Sequence, residues 1–244
     1  MRTSLIYGRL LVFALAWTSA AALAAGYGGG PGGYGGGPGQ GGPGGGIGGG
    51  TGNQEIPTTP HVDKPEAAAK KAYVAGMKSL AKAKNYESEA ARAANEDKKN
   101  AALEKKNDAY GRALDEFTEA LGNDGEMYDA WNNVGFIHLR LGAYAESVDD
   151  YNHALALKPD LRDATLHRAE AYMAIDRLDD AKIAYMELFT HDSQLADQLM
   201  VAMQSWTTDH RANPNGMRAS DIDAFGTWVQ ERDGIAKQTA SLPH

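Results

Sequence analysis

Beyond residue 65 the large apolar side chains recur at helical spacing. Tyr73, Met77 and Leu80 do so within residues 66–84, with Lys84 one turn further. Leu103, Tyr110, Leu114, Phe117 and Leu121 make a second stripe, which predicts a helix over residues 108–121. Residues 130–141 and 144–157 give the next two helices, with Gly142 ending the first and Pro159 stopping the second. Leu195, Leu199, Met203 and Trp206 mark a helix over residues 193–206. Asn213-Pro214-Asn215-Gly216 then signals a turn within a loop over residues 207–219. Ser220-x-x-Asp223, a capping box with Asp in place of Glu, opens a last helix with Ile222, Phe225, Trp228, Val229 and Ile235 on one side. Residues 86–106 are Ala-rich, charged and nearly free of large apolar side chains, and are expected as an insertion that lengthens the helices.

An internal period of 34 residues organises these segments. Setting residues 128–161 above residues 162–195 aligns Gly135 with Ala169, His138 with Tyr172, Leu141 with Ile175, Tyr144 with Leu178, Ser147 with Ala181, Tyr151 with Tyr185 and Ala154 with Leu188. Small falls on small and large apolar on large, the requirement of two antiparallel helices that cross closely: Gly135, Ser147, Ala169 and Ala181 let the backbones approach, and Trp131, Tyr144 and Tyr151 fill the space around the crossing. One period upstream, Tyr110, Ala113, Phe117 and Ala120 match Tyr144, Ser147, Tyr151 and Ala154, but Asp97 and Glu104 fall where Trp131 and His138 would be. Residues 66–84 are therefore expected to supply the missing partner helix.

The first unit reads Trp131-x2-Val134-Gly135-x2-His138, Ser147-x3-Tyr151 and Pro159. This resembles the tetratricopeptide repeat (TPR), with its W-x2-L-G-x2-Y, A-x3-F and P at the same spacing; His138, Ser147 and Tyr151 are substitutions within that pattern. Trp131, Gly135, Ser147, Tyr151, Ala154 and Pro159 carry the signature in the first unit, and Ala169, Tyr172, Ala181 and Tyr185 in the second. The resemblance implies an all-α solenoid of helical hairpins. It divides the chain into a degenerate repeat with a helical insertion (66–127), two well-formed repeats (128–161 and 162–195), and a degenerate repeat with a capping helix (196–240), which covers the exposed end of the stack.

Composition changes the picture at the N-terminus. Of 29 Gly in 244 residues, 19 lie within residues 26–52, beside three Pro. Such a stretch has no side chains to bury and loses maximal backbone entropy on ordering, so residues 25–65 are expected as a disordered tether. Its Gly-Tyr-Gly-Gly-Gly-Pro-Gly unit occurs twice, but the three-residue Gly frame begun at Gly26 meets Pro38, which excludes collagen, and no strand, helix or Lys-Ser/Thr pair makes it a phosphate loop. Ahead of it, Arg2 and Arg9, an apolar run from residue 10 and Ala22-Leu23-Ala24 form a secretory signal over residues 1–24, with cleavage after Ala24. The apolar stretch is shorter than the roughly 20 residues needed to cross a bilayer, so no integral span is expected after cleavage. Export is the expectation, with the periplasm of a Gram-negative cell as the default destination.

Charge and chemistry narrow the function. Residues 64–106 hold 11 Lys and Arg against 6 Asp and Glu, net +5, whereas residues 107–244 hold 11 against 24, net −13. Nucleic acid is therefore not an expected partner. There is no Cys, which removes disulfides, Cys-ligated zinc and a nucleophilic thiol. The seven His form no H-E-x-x-H pair, and residues 209–221 fail as a calcium loop, having no acid between Asp209 and Asp221 and Arg211 at a ligand place. No metal, cofactor or catalytic residue is expected.

The TPR resemblance instead implies a groove along the first helix of each pair that takes an extended peptide or a helix of another protein. Carried over by alignment, its candidates are Asp129, Asn132, Phe136, Leu139 and Arg140 in the first unit and Asp163, Leu166, Glu170 and Met173 in the second. A carboxylate clamp of the kind found in some TPR proteins is disfavoured, because Asp163 and Glu170 stand where positive charge is wanted. The expected function is a non-enzymatic scaffold for protein–protein interaction in the bacterial cell envelope. The alternative is a structural or surface-adhesive protein in which the Gly/Tyr-rich segment, with Tyr27 and Tyr34, is the working part.

Overall fold

The computed structural model describes residues 64–240, eight α-helices with no strand among the described residues. The expected signal and nearly all of the expected tether lie outside them. Helix α1 (Pro65–Ala91) opens on Pro65, assigned by its sequence to the tether but placed at the first helical position, where the missing N–H would have been unpaired anyway. Helix α2 (Glu96–Asn123) is capped by Asn95, whose side-chain oxygen accepts from the Lys98 amide at 2.9 Å. The expected insertion thus lengthens both helices of the first hairpin to about twice the length of α3 (Tyr128–Leu141), α4 (Tyr144–Leu157), α5 (Arg162–Ala174) and α6 (Leu178–His191). Helix α7 (Ser193–Ala212), capped by Asp192 on the Leu195 amide, and α8 (Ala219–Ala240) close the array.

Helices α3 and α5 end in the same way, one period apart. Gly142 takes φ +83°, and the Ala143 amide donates back to His138 O at 2.9 Å; Asp176 takes φ +61°, and the Arg177 amide donates to Tyr172 O at 2.8 Å. This is the Schellman ending, which needs a left-handed residue. Each hairpin then packs through its small residue. A Cβ on Gly135 would lie 3.1 Å from the Tyr151 ring, and the Ser147 hydroxyl donates to Gly135 O at 2.8 Å across the same crossing. The first hairpin repeats the arrangement with Gly76, whose Cβ would meet the Phe117 ring at 2.7 Å. Phe117 is one period before Tyr151, so the helix that answers α3 is α1, in a register set by Gly76.

Consecutive helices pack as neighbours, and α3 also touches α5, as α5 touches α7. The even-numbered helices approach one another less closely than α3, α5 and α7 do, so these three lie on the inner, shorter side of the curve, and α1 meets α3 through side chains such as Lys84 on Phe136. Two apolar clusters hold the stack: Leu80, Tyr110, Phe117, Val134 and Ile137 join α1–α3, and Tyr172, Tyr185, Leu199, Trp206, Phe225 and Val229 join α5–α8. Burying each large side chain contributes about 1.5–3 kcal/mol.

Four local expectations are corrected. Residues 207–212, expected as loop, continue α7, because Thr207 and His210 are buried and their side chains bond to Met203 O and Trp206 O. The capping box does not form: α8 starts before Ser220, whose hydroxyl donates to Asp221, and Asp223 pairs with Arg211. Ile235 is exposed, unlike its stripe-mates Ile222, Phe225 and Val229. Trp131, expected to fill the helix crossing, packs only at its edge: half-buried, it stacks on His153 of α4 and donates its indole N–H to Gly125 O at 3.0 Å.

Candidate interaction groove

The inner face is built from α1, α3 and α5, and the repeat places its residues in matched pairs. Asp129 and Asp163 are exposed in the first turns of α3 and α5, where the unpaired helix amides favour negative charge. One turn on, Asn132 is half-buried, and its side-chain oxygen is buried with no hydrogen-bond partner. Its neighbour Asn133 donates to Asp129 O at 2.8 Å and reaches the Tyr73 hydroxyl of α1 at 3.4 Å. Burial, reinforced by Asp129, raises the Tyr73 pKa.

Phe136 forms the middle of the face. The Lys84 ammonium lies 4.8 Å from its ring centre and the His167 ring 5.7 Å on, edge to face. Arg140 forms an ion pair with Glu87 of α1, and burial lowers its pKa while Glu170 acts in the opposite sense. Glu170 Oε2 is 3.0 Å from His167 Nδ1. Below them the Tyr151 hydroxyl is buried without a hydrogen-bond partner, and its pKa is pushed well above the usual value, first by burial and then by Glu170 and Asp150. The charges thus alternate across three helices: Glu87, Arg140, Glu170.

Two of the nine aligned candidates do not reach this surface. Leu166 and Met173 are 4% and 2% exposed and belong to the core that joins α5 to α6 and α7. The Met173 carbonyl accepts from the buried Trp206 indole at 3.0 Å. Leu139 is half-buried against the same core. Arg140 is at the face but already paired. Conversely, Tyr73, Lys84, Glu87 and His167 belong to the face and were not among the candidates. For the three residues of α1 the reason is that the alignment covered only the two regular units, and the Gly76 register is the signal that would have brought them in; His167 lies inside the second unit, one period after Asn133. The signature residues Gly135, Ser147, Tyr151, Ala154, Ala169, Tyr172, Ala181 and Tyr185 are buried, while Pro159 lies exposed beyond the end of α4. Among the described residues no three His, Asp or Glu side chains gather in a way that could hold a metal, and no helix is long and apolar enough to cross a membrane.

Antiparallel helix pairs in two layers, stacked at a 34-residue period around glycine and alanine crossings, define a helical-repeat protein of the kind that mediates protein–protein contacts. The tetratricopeptide-repeat family model matches residues 128–161, so the chain carries a tetratricopeptide repeat there. No curated protein matches it by sequence. Among solved structures it is similar to a chain of the TPR2B-domain:pHsp70 complex of yeast Sti1, at 15% identity over 68% of this chain and 98% of that one, with a TM-score of 0.35.

Proposed function

We propose that the protein is a non-enzymatic scaffold of the bacterial cell envelope that holds a segment of another protein along the α1–α3–α5 face. The observation that carries this is the half-buried Asn132, an amide whose oxygen lacks a partner, set between exposed Asp129 and Phe136 on the inner layer. Turning that amide outward lets a peptide backbone N–H satisfy its oxygen, and Phe136 offers an apolar seat. Asp129 and Asp163 favour a segment that carries positive charge. Placement in the envelope rests on the signal-like residues 1–24, and the absence of Cys fits an exported chain stabilised by stacked helices alone.

A photo-crosslinking residue placed in intact cells at Asp129 or at Asp163 is expected to capture another protein, whereas one at exposed Ala156 on the outer layer is not. Equal capture at Ala156, or none at either Asp, overturns the groove. Deleting residues 26–52 separates the two functional readings: a scaffold keeps its groove adducts, and an adhesin loses surface attachment while the groove captures nothing.

A further inference from the structure

The outer face of α1 occupies a register that the internal repeats bury. With Gly76 set on Gly135 and Ala169, Lys71 takes the place of Ala130 and Ala164, and Lys78 that of Ile137 and Ala171. Those four internal residues are fully buried, because a preceding hairpin packs on α3 and on α5. No described helix precedes α1, and Lys70, Lys71, Lys78 and Lys82 stand exposed around Val74, which is 45% exposed. None of the four lysines has an ion-pair partner among the described residues, and no acid lies between Glu66 and Glu87. The face borders a shallow depression of about 540 Å³ lined by Ala67, Lys70, Lys71, Val74, Ala75 and Lys78. A bare end cap needs only polar residues; this one keeps an apolar seat between two cations, Lys70 and Lys78, one turn before and one turn after Val74.

The chain carries the complement of that stripe. On the outer side of α6, Asp179, Ile183 and Glu187 follow each other at the same four-residue steps. Ile183 is 67% exposed, more than any other large apolar side chain described, and exposed Met186 lies beside it. Asp179 and Glu187 touch only Lys182 at 3.0 Å and Arg162 at 3.6 Å, surface pairs that exchange partners at little cost. In each stripe the outer charges are about 12 Å apart along the helix, so the two match in either direction. We propose that α1 of one chain docks on α6 of a second copy, Val74 against Ile183, with Lys70 and Lys78 facing Asp179 and Glu187. The segregation of charge along the chain, +5 over residues 64–106 and −13 over residues 107–244, draws these two faces together. Because the two faces are different patches, the contact is head-to-tail and extends with concentration. It uses neither Asp129 nor Asp163, so it stands or falls apart from the groove.

Sedimentation equilibrium of the purified chain over a range of concentrations tests this. At low salt the weight-average mass of the wild type is expected to rise with concentration, with a dissociation constant on the order of 0.1 mM, and to fall back toward the monomer at high salt. Lys70→Glu with Lys78→Glu, or Asp179→Lys with Glu187→Lys, weakens association by about tenfold or more, and all four changes in one chain restore it. The positions are exposed, so each variant is expected to keep the wild-type helical circular dichroism and melt. A wild type that stays monomeric at every concentration, paired variants that associate like the wild type, or a fourfold variant that does not recover overturns the proposal.

Discussion

Two ring-on-glycine contacts fix how close the paired helices come. Phe117 lies over Gly76 and Tyr151 over Gly135, and in the second case the Ser147 hydroxyl holds the same backbone by a hydrogen bond. A side chain at Gly135 must push the Tyr151 ring, which is fully buried. Gly135→Leu is therefore expected to cost about 1–3 kcal/mol or more by overpacking, read as a lower midpoint in thermal or urea unfolding; a melt no lower than wild type sinks the assignment. This pairing was legible in the sequence, because Gly135, Ser147 and Tyr151 sit in a periodic pattern with few physical explanations. Leu166 and Met173 were misplaced for the opposite reason. Alignment to Asn132 and Leu139 says which side of α5 they occupy, but the depth at that side depends on how α7 packs over it, which no local spacing reveals.

At the scale of elements, helix ends were read best where a residue type is required by the backbone. Gly142 stops α3 as its composition demands, whereas Asp176 makes the same left-handed turn after α5 without glycine's freedom. The Asp carboxylate also sits at the negative end of the α5 dipole and makes no side-chain hydrogen bond among the described residues. Asp176→Gly is thus expected to stabilise the protein by about 0.5–1 kcal/mol, and Gly142→Ala to destabilise it by a similar amount. Urea unfolding of the two variants checks both signs, and a destabilised Asp176→Gly chain would mean that its carboxylate is engaged after all. The first hairpin was half legible: its helices were expected, but lengthening by the insertion hid the Gly76 register and with it the contribution of Tyr73, Lys84 and Glu87 to the inner face. The Ser220-x-x-Asp223 pattern failed because Arg218 pairs with Asp221 and Arg211 with Asp223, leaving Ser220 within the first turn of α8.

The whole molecule has no covalent brace, and its stability depends on buried aromatic side chains shared along the stack. Four tyrosines along the stack, three of them buried and Tyr73 half-buried, have raised pKa values: Tyr73, Tyr110, Tyr151 and Tyr185, each shifted chiefly by burial, with Tyr110 pushed up to about 12. A phenol is neutral when protonated, so the folded state holds its proton to higher pH than the unfolded chain, which releases it near 10. The unfolded state then binds fewer protons, and stability falls as pH rises. The tyrosine contribution is complete below pH 10 and, for Tyr110, is lost as the pH climbs from about 10 through about 12. Lysines lose their charge over the same range and add to the net negative charge, so the slope of the wild type alone does not isolate the phenols. Tyr110→Phe does: it keeps the buried ring, removes the titrating group and gives up only a long 3.4 Å hydrogen bond to Glu87, which retains Arg140. Urea midpoints measured from neutral pH upward are expected to decline less steeply for Tyr110→Phe than for wild type above pH 10, with little difference near pH 8. Parallel curves would show that burial of Tyr110 contributes nothing to the alkaline limit, and that the first hairpin opens before its phenol is asked to ionise.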